Sequence, residues 1–299
     1  MQKGKKYSFL LASLLAGLFY FLYIPLPSSK HPYRLYSTDH GDDLKEVLKK
    51  SIRASKQSIT LHSYAITDLG ILSLLKKKGQ EGVNIHLIYD DQASPHLKGL
   101  QENHLFLYPI RGKGLMHEKI WIFDETLLFL GSTNLTPSSL KMHDNLMVGL
   151  YAPSLAQALS AGRPEKYAEQ IGSRKLLYYS LPSQEALETL LKTLDQTQKT
   201  VKISLFTFTH SSIVNKLIQL HQRGVKVKIT LDRTTAQGAS QKARKALEGA
   251  GIQVRESSGR ELMHHKCAEI DNKIFIIGSA NWTQSAFNKN RDFLLFIYY

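Results

Sequence analysis

Apolar and polar residues alternate along Ser58-Ile-Thr-Leu-His-Ser-Tyr-Ala-Ile-Thr67, and again along Thr200-Val-Lys-Ile-Ser-Leu-Phe-Thr-Phe-Thr209. Alternation of this length predicts a strand. The second segment repeats the first at an offset of 142. The same offset sets Gly82-Val-Asn-Ile-His-Leu-Ile-Tyr-Asp90 on Gly224-Val-Lys-Val-Lys-Ile-Thr-Leu-Asp232, a second alternating run opened by a glycine turn and closed by an aspartate. Between the two runs of each half, residues 69–78 and 212–223 space their apolar positions for an amphipathic helix. Residues 43–55 and 184–196 predict a further helix ahead of the first strand. Strand, helix and strand joined by a short glycine turn make a parallel βαβ unit, so each half is α/β and the chain is a duplication. The predicted organisation is one lobe at residues 31–150, a connection at 151–183 carrying Pro153, Pro164 and Pro182, and a second lobe at 184–299.

The first thirty residues follow a different pattern. Lys3, Lys5 and Lys6 precede an uncharged run from Tyr7 to Ser29 that is almost wholly apolar from Phe9 to Ile24. At 1.5 Å per residue such a run spans a hydrocarbon core of roughly 30 Å. Its basic flank predicts a cytoplasmic N-terminus and an exported remainder. Residues 1–30 are therefore expected to be a signal anchor or a cleaved signal peptide. The catalytic part is then membrane-anchored on the exported side, or secreted after cleavage.

Composition narrows the remaining classes. With 42% apolar and 21% charged residues the chain is globular rather than disordered. Its single cysteine, Cys267, excludes an intrachain disulfide framework and a thiolate-cluster zinc site. Thirty-nine Lys and Arg against 25 Asp and Glu leave +14, which favours polyanionic partners such as nucleic acid, an anionic bilayer or phosphate-bearing substrates.

The candidate chemistry recurs at an offset of 147. The first half reads His117-Glu-Lys119, four residues, Asp124, six residues, Gly131-Ser132-Thr-Asn134. The second reads His264-His-Lys266, four residues, Asp271, six residues, Gly278-Ser279-Ala-Asn281. A His-x-Lys spacing on a strand points both side chains the same way. The Ser hydroxyl and Asn amide that follow can meet the same phosphate. Phosphodiester cleavage asks for such groups, because its transition state is stabilised mainly by positioning and positive charge. Two imidazoles also allow a two-step route, one attacking phosphorus and the other moving protons. A lysine beside each histidine opposes a bound cation, so no metal site and no cofactor are expected. Nothing recurs around His62, His143, His210 and His265, which are expected to be core or surface residues. Trp121 and Trp282 are expected to pack.

These twin motifs and the surrounding βαβ pattern resemble the phospholipase D superfamily, over residues 40–299. The run Gly278-Ser-Ala-Asn-Trp-Thr-Gln-Ser-Ala286, with Asn290 and Asp292 after it, is most similar to the compact branch of bacterial nucleases and cardiolipin-cleaving relatives. The resemblance implies two similar α/β lobes forming a pseudo-dimer within a monomer, with one active site at their interface. It implies a phosphodiesterase acting through a phosphohistidine, His117 as nucleophile and His264 as general acid and base, with Lys119 and Lys266 on the phosphate. Ser132, Asn134, Ser279 and Asn281 are expected to bind substrate. Asp124 and Asp271 are expected to brace the motif. The family places an acidic residue downstream of the Asn against the motif histidine. Asp292 fits that place for His264; the same spacing counted from His117 reaches Asn145, with Asp144 one short, so either could orient His117. Phospholipid is the preferred substrate class, with anionic headgroups such as cardiolipin or phosphatidylglycerol. A nuclease acting on DNA or RNA and a cardiolipin synthase-like transferase are the alternatives.

Overall fold

The computed structural model describes residues 24–299. The predicted anchor or signal segment lies outside them over residues 1–23. Residues that follow it dock on the first lobe: Ile24 and Leu26 pack against its core, and the Tyr36 hydroxyl donates to the Pro25 carbonyl at 2.6 Å. Among the described residues no helix is long and apolar enough to cross a membrane.

The first lobe contains β1 (Tyr33–Ser37), β2 (Ser58–Ser63), β3 (Asn84–Asp90), β4 (Leu105–Ile110), β5 (Lys119–Phe123), β6 (Leu127–Gly131) and β7 (Leu146–Tyr151). They form one sheet in the order β1-β7-β6-β5-β2-β3-β4. Helices α1 (Leu44–Ala54) and α2 (Leu69–Gln80) cover one face, and α3 (Pro137–Lys141) sits between β6 and β7. Asp43 and Asp68 cap α1 and α2 by accepting the amides of Glu46 and Ile71, which satisfies donors that a helix start leaves free. After α4 (Pro153–Ala161) come β8 (Lys166–Ile171) and β9 (Arg174–Leu181), then α5 (Gln184–Asp195), β10 (Thr200–Leu205), α6 (Ser211–Gln222) and β11 (Lys226–Leu231). The chain continues through α7 (Arg233–Gln237), α8 (Gln241–Gly249), β12 (Val254–Glu256), β13 (Lys266–Ile270), β14 (Ile274–Gly278), α9 (Gln284–Asn288) and β15 (Asp292–Tyr298). The second sheet runs β12-β11-β10-β13-β14-β15-β9-β8.

Taken from its β4 edge, the first sheet has the same order, with β1 standing where β9 stands. The stretch expected to be only a connection therefore supplies strands to the second lobe: β9 pairs antiparallel with β15 over its whole length. In both lobes only the strands joined through the βαβ helix and their outer neighbour run parallel.

Period-two side-chain placement divides the core. Trp121 and Phe123 of β5 face the helices, whereas Ile120 and Ile122 face the second sheet. There they meet Phe275, Ile277, Phe293 and Leu295 in an apolar layer between the sheets. The molecule is thus four layers, helix, sheet, sheet, helix, with the pseudo-twofold between the sheets. The motif glycines permit a close strand approach: a Cβ on Gly131 would collide with the Leu146 carbonyl, and one on Gly278 with that of Phe293.

Candidate active site

Each motif histidine stands just ahead of its strand and is held by backbone bonds before its side chain is considered. Asp90, at the end of β3, accepts the Met116 amide at 3.1 Å; Asp232, after β11, accepts the Met263 amide at 2.9 Å. The next amide in each case crosses to the other lobe. His117 N donates to the Arg291 carbonyl and His264 N to the Asp144 carbonyl, both at 2.7 Å. The two lobes are therefore pinned together at the motif histidines. Asp90 and Asp232 are visible in the sequence as the aspartates closing the repeated strands, but their grip on the catalytic loops is not.

The side chains cross in the same way. His117 Nδ1 lies 2.8 Å from Asp292 Oδ1, a residue of the second lobe. His264 Nδ1 lies 2.9 Å from the Ser132 carbonyl and 3.3 Å from Asn145 Oδ1, both in the first lobe. The expectation that Asp292 serves His264, and that Asp144 or Asn145 serves His117, is corrected: the partners are exchanged between lobes. The reason is strand geometry. Asp292 opens β15, two strands away from β13, and two strand spacings are about 10 Å. The opposing lobe comes closer than that. The Asp144 carboxylate reaches neither motif imidazole; it pairs with His265 Nε2 at 2.9 Å. Its counterpart Arg291 pairs with Glu118 at 3.1 Å, so each residue between His and Lys is tied across the interface behind the site.

Carbonyl and carboxylate partners accept only, so each Nδ1 carries the proton and each Nε2 keeps its lone pair. Neither Nε2 makes a hydrogen bond to any of the described residues. Burial and then Lys119 push the His117 pKa down, with Asp292 opposing both. His264 is pushed well below the usual imidazole value by burial and then by Lys266, Lys119 and His117, and it has no carboxylate to oppose them. Each lysine is buried and donates to the carbonyl of its own histidine, Lys119 at 2.7 Å and Lys266 at 2.8 Å. Burial takes Lys119 down to about 7. Lys266 falls well below its ordinary value through burial and then the Lys119 ammonium, which places both lysines on one space. Tyr64 and Phe206, equivalent at the offset of 142, wall each pair. Lys119 Nζ lies 5.6 Å from the Tyr64 ring centre and Lys266 Nζ 5.1 Å from that of Phe206. The motif spacing does not single out these two rings, although the strand alignment matches them.

The other predicted residues divide into two groups. Asn134 and Asn281 follow the motif serines, and their side chains make no hydrogen bond among the described residues, each with Oδ1 buried and unpartnered. Ser132 and Ser279 do not face a phosphate, contrary to expectation. Ser132 Oγ donates to Asn145 Oδ1 at 2.8 Å and Ser279 Oγ to Asp292 Oδ1 at 2.6 Å, while each also accepts an amide of the neighbouring strand. Fully buried hydroxyls so engaged orient the residues behind the histidines instead. Asp124 and Asp271 sit at the far end of β5 and β13. They accept the amides of residues 56–58 and 198–200, fastening the hairpin to the start of the neighbouring strand. Among the described residues no group of three or more His, Cys, Asp or Glu is arranged to hold a metal ion.

Two lone-pair nitrogens and two lysines act on one another across the lobes with one carboxylate, Asp292, behind them, and the unpartnered amides of Asn134 and Asn281 follow on the same motifs. That arrangement attracts an anion and offers a nucleophile and a proton carrier on opposite lobes.

Comparison with known proteins agrees with the geometry. The family profile described as "Cardiolipin synthase, PLD-like domain" matches twice, over residues 48–162 and 190–299. The mitochondrial cardiolipin hydrolase of Mus musculus is 39% identical over 118 residues, 39% of this chain and 52% of that protein. That of Homo sapiens is 37% identical over 113 residues, 38% of this chain and 44% of that protein. The chain thus spans about half the length of the curated relatives it matches. Phosphatidylserine synthase of Haemophilus influenzae Rd KW20 shares the fold, with a TM-score of 0.70 at 13% identity, covering 92% of this chain and 83% of that one.

Proposed function

This chain belongs to the phospholipase D superfamily, and from that premise we propose that it is a phosphodiesterase that cleaves anionic phospholipids through a phosphohistidine on His117. The carrying observation is the crossed support of the histidines: a carboxylate stands behind His117, and only neutral oxygens stand behind His264. His117 Nε2 attacks phosphorus, and the positive charge that grows on the ring as the N–P bond forms is stabilised by Asp292. His264, once protonated, gives its Nε2 proton to the leaving alkoxide as the P–O bond breaks. Its neutral partners make the imidazolium a stronger acid. Water then loses a proton to His264, attacks phosphorus and displaces His117. Bound phosphate supplies the negative charge that draws protons onto His264, Lys119 and Lys266. The two ammonium groups and the amides of Asn134 and Asn281 supply the charge stabilisation, without a metal step.

Lipid is favoured by the activity for which the relatives are named and by the loop rims. Leu115 and Met142, 44% and 57% exposed, stand on the two loops that cross between the lobes beside the histidines. The +14 charge suits anionic headgroups, and the N-terminal apolar segment would hold the site near the exported face of a membrane. The test is the full-length chain offered cardiolipin vesicles, single- and double-stranded DNA, and RNA. Release of phosphatidic acid without nucleic acid cutting is expected, unaffected by chelator. Cutting of nucleic acid with intact lipid would overturn the lipid assignment, and inhibition by chelator would overturn the metal-free route. Adding glycerol as acceptor distinguishes hydrolysis from transfer.

A further inference from the structure

The second lobe ends its site with Asn290-Arg291-Asp292; the first has His143-Asp144-Asn145 at the same offset of 147. The lobes thus differ at all three positions; the middle pair, Asp144 and Arg291, is spent on His265 and Glu118 behind the site, which leaves the two outer differences beside the histidines. Asn290 spends its side chain on the backbone, where Oδ1 accepts the Leu115 amide at 3.2 Å. The His143 ring makes no hydrogen bond to any of the described residues. It is partly buried and stands edge-on to His264, ring centres 6.4 Å apart at 61°. Phe206 also flanks His264, at 5.1 Å and 65°. The charged groups that act on His143 are Glu261 from the loop before β13, Asp232 from the end of β11, and Lys266 from the site. Two N–H donors meeting one oxygen at about 2.9 Å each need ring centres roughly this far apart.

The second difference gives the first its use. Asn145 leaves His264 without a carboxylate, so the leaving oxygen faces a single imidazole whose charged form is poorly supported. We propose that His143 is a third imidazole of the active site, donating a hydrogen bond to the leaving oxygen beside His264. This rests on the phosphodiesterase reading above. No net proton passes through His143: the proton given to the alkoxide comes from His264, and the proton lost by water returns there. An imidazole has at least one N–H in either charge state, so His143 can donate throughout. A second donor shares the charge that develops on the departing oxygen.

The experiment compares wild type with His143→Asn, the residue of the other lobe, on two phosphodiesters. One has an alkyl leaving group and the other a nitrophenyl leaving group, which departs without a proton. A hydrogen bond to a charged oxygen corresponds to a fall in kcat of roughly 10- to 150-fold. That fall is expected on the alkyl ester, with less than a threefold fall on the nitrophenyl ester and KM little changed. Equal losses on both esters, or none on either, would overturn the proposal. Histidine 15N NMR with inorganic phosphate needs no turnover. The His143 ring resonance should move on phosphate binding in wild type, and its failure to move while His264 moves would equally overturn the role. Wild type inert on every phosphodiester, yet showing the His143 shift, would sink the proposed function and leave His143 at the anion site.

Discussion

Replacing Asp292 by Asn tests the crossed support directly. Asp292 is fully buried; its Oδ1 receives His117 Nδ1 and Ser279 Oγ, and its Oδ2 is buried without a partner among the described residues. Burial pushes its pKa up, but His117, Lys119 and Ser279 outweigh burial and hold the carboxyl below its usual range. It is therefore ionised wherever the enzyme works. Asn keeps the shape and removes the charge. A hydrogen bond to a charged group contributes about 1.5–3 kcal/mol and a neutral one about 0.5–1.5, so the exchange costs at least about 1 kcal/mol, or roughly fivefold in rate. Tautomer control adds to this. In the first lobe the amide of Asn145 is fixed by donating to the Ser139 carbonyl at 2.8 Å and to its hydroxyl at 3.2 Å. The second lobe has Ala286 in place of Ser139. Ala286 keeps the carbonyl but lacks the hydroxyl, so an amide at 292 has one acceptor fewer to hold it and can turn its N–H towards His117, driving the proton onto Nε2, where it blocks attack. Losing the reactive tautomer has cost about 10⁴-fold in the serine protease triad. The expected loss for Asp292→Asn therefore lies between about fivefold and 10⁴-fold. Acid-quench trapping of the phosphoenzyme reads the step itself. Asn145→Ala, which removes only a neutral contact from His264, should slow phosphoenzyme formation by no more than about 13-fold. Formation at the wild-type rate in Asp292→Asn, or a larger loss in Asn145→Ala, would refute the assignment.

Further outcomes can be measured independently. With a nitrophenyl phosphodiester, His264→Ala should accumulate the phosphoryl group with its remaining ester on His117, seen by mass spectrometry, and His117→Ala should accumulate none; the opposite pattern exchanges their roles. Lys119 has a folded-state pKa of about 7 against 10.5 in the open chain. The unfolded state then holds more protons between those values, so the stability of the ligand-free protein should rise with pH across that window. Lys119→Met should flatten this rise in calorimetric scans and keep the melting temperature, while activity falls by about 10²-fold or more; a steeper rise would contradict the burial of an ammonium. Glu118 is held down to about 2 despite complete burial, its largest favourable partner being His62, with Arg291 and Arg163 adding to it. Glu118→Ala strands those cations at the lobe interface and should cost roughly 3 kcal/mol in urea denaturation, short of the full buried-pair penalty because both arginines reach solvent. No change would mean the cluster is not structural.

Much of this architecture can be read from local patterns. The offset of 142 aligns strands and helices because each lobe folds by the same alternation, and the offset of 147 aligns the two His-x-Lys motifs with the serines, asparagines and aspartates that follow them. What sequence spacing does not reveal is which lobe supplies the partner of each histidine. Counting along the chain from His264 to Asp292 assumes that a matching interval brings the two side chains together, whereas two strand spacings separate them and the opposing sheet lies closer. Ser132 and Ser279 mislead for a similar reason: a hydroxyl beside a phosphate-binding amide looks available until the adjoining strand, admitted by Gly131 and Gly278, claims it. The β8–β9 hairpin is hidden because Pro164 and Pro182 bracket it and a tyrosine-rich strand buried on both faces lacks alternation.

The exchange of supports between lobes also restricts how such a site could have been inherited. Two identical copies of the first lobe would back both imidazoles with amides, and two copies of the second would back both with carboxylates. A symmetric pair can never hold one of each. Joining the halves in a single polypeptide removes that constraint, so unequal support of His117 and His264 is open to a fused chain and closed to a homodimer. Separating the lobes and letting either self-associate would restore symmetry and erase the difference between the two supports.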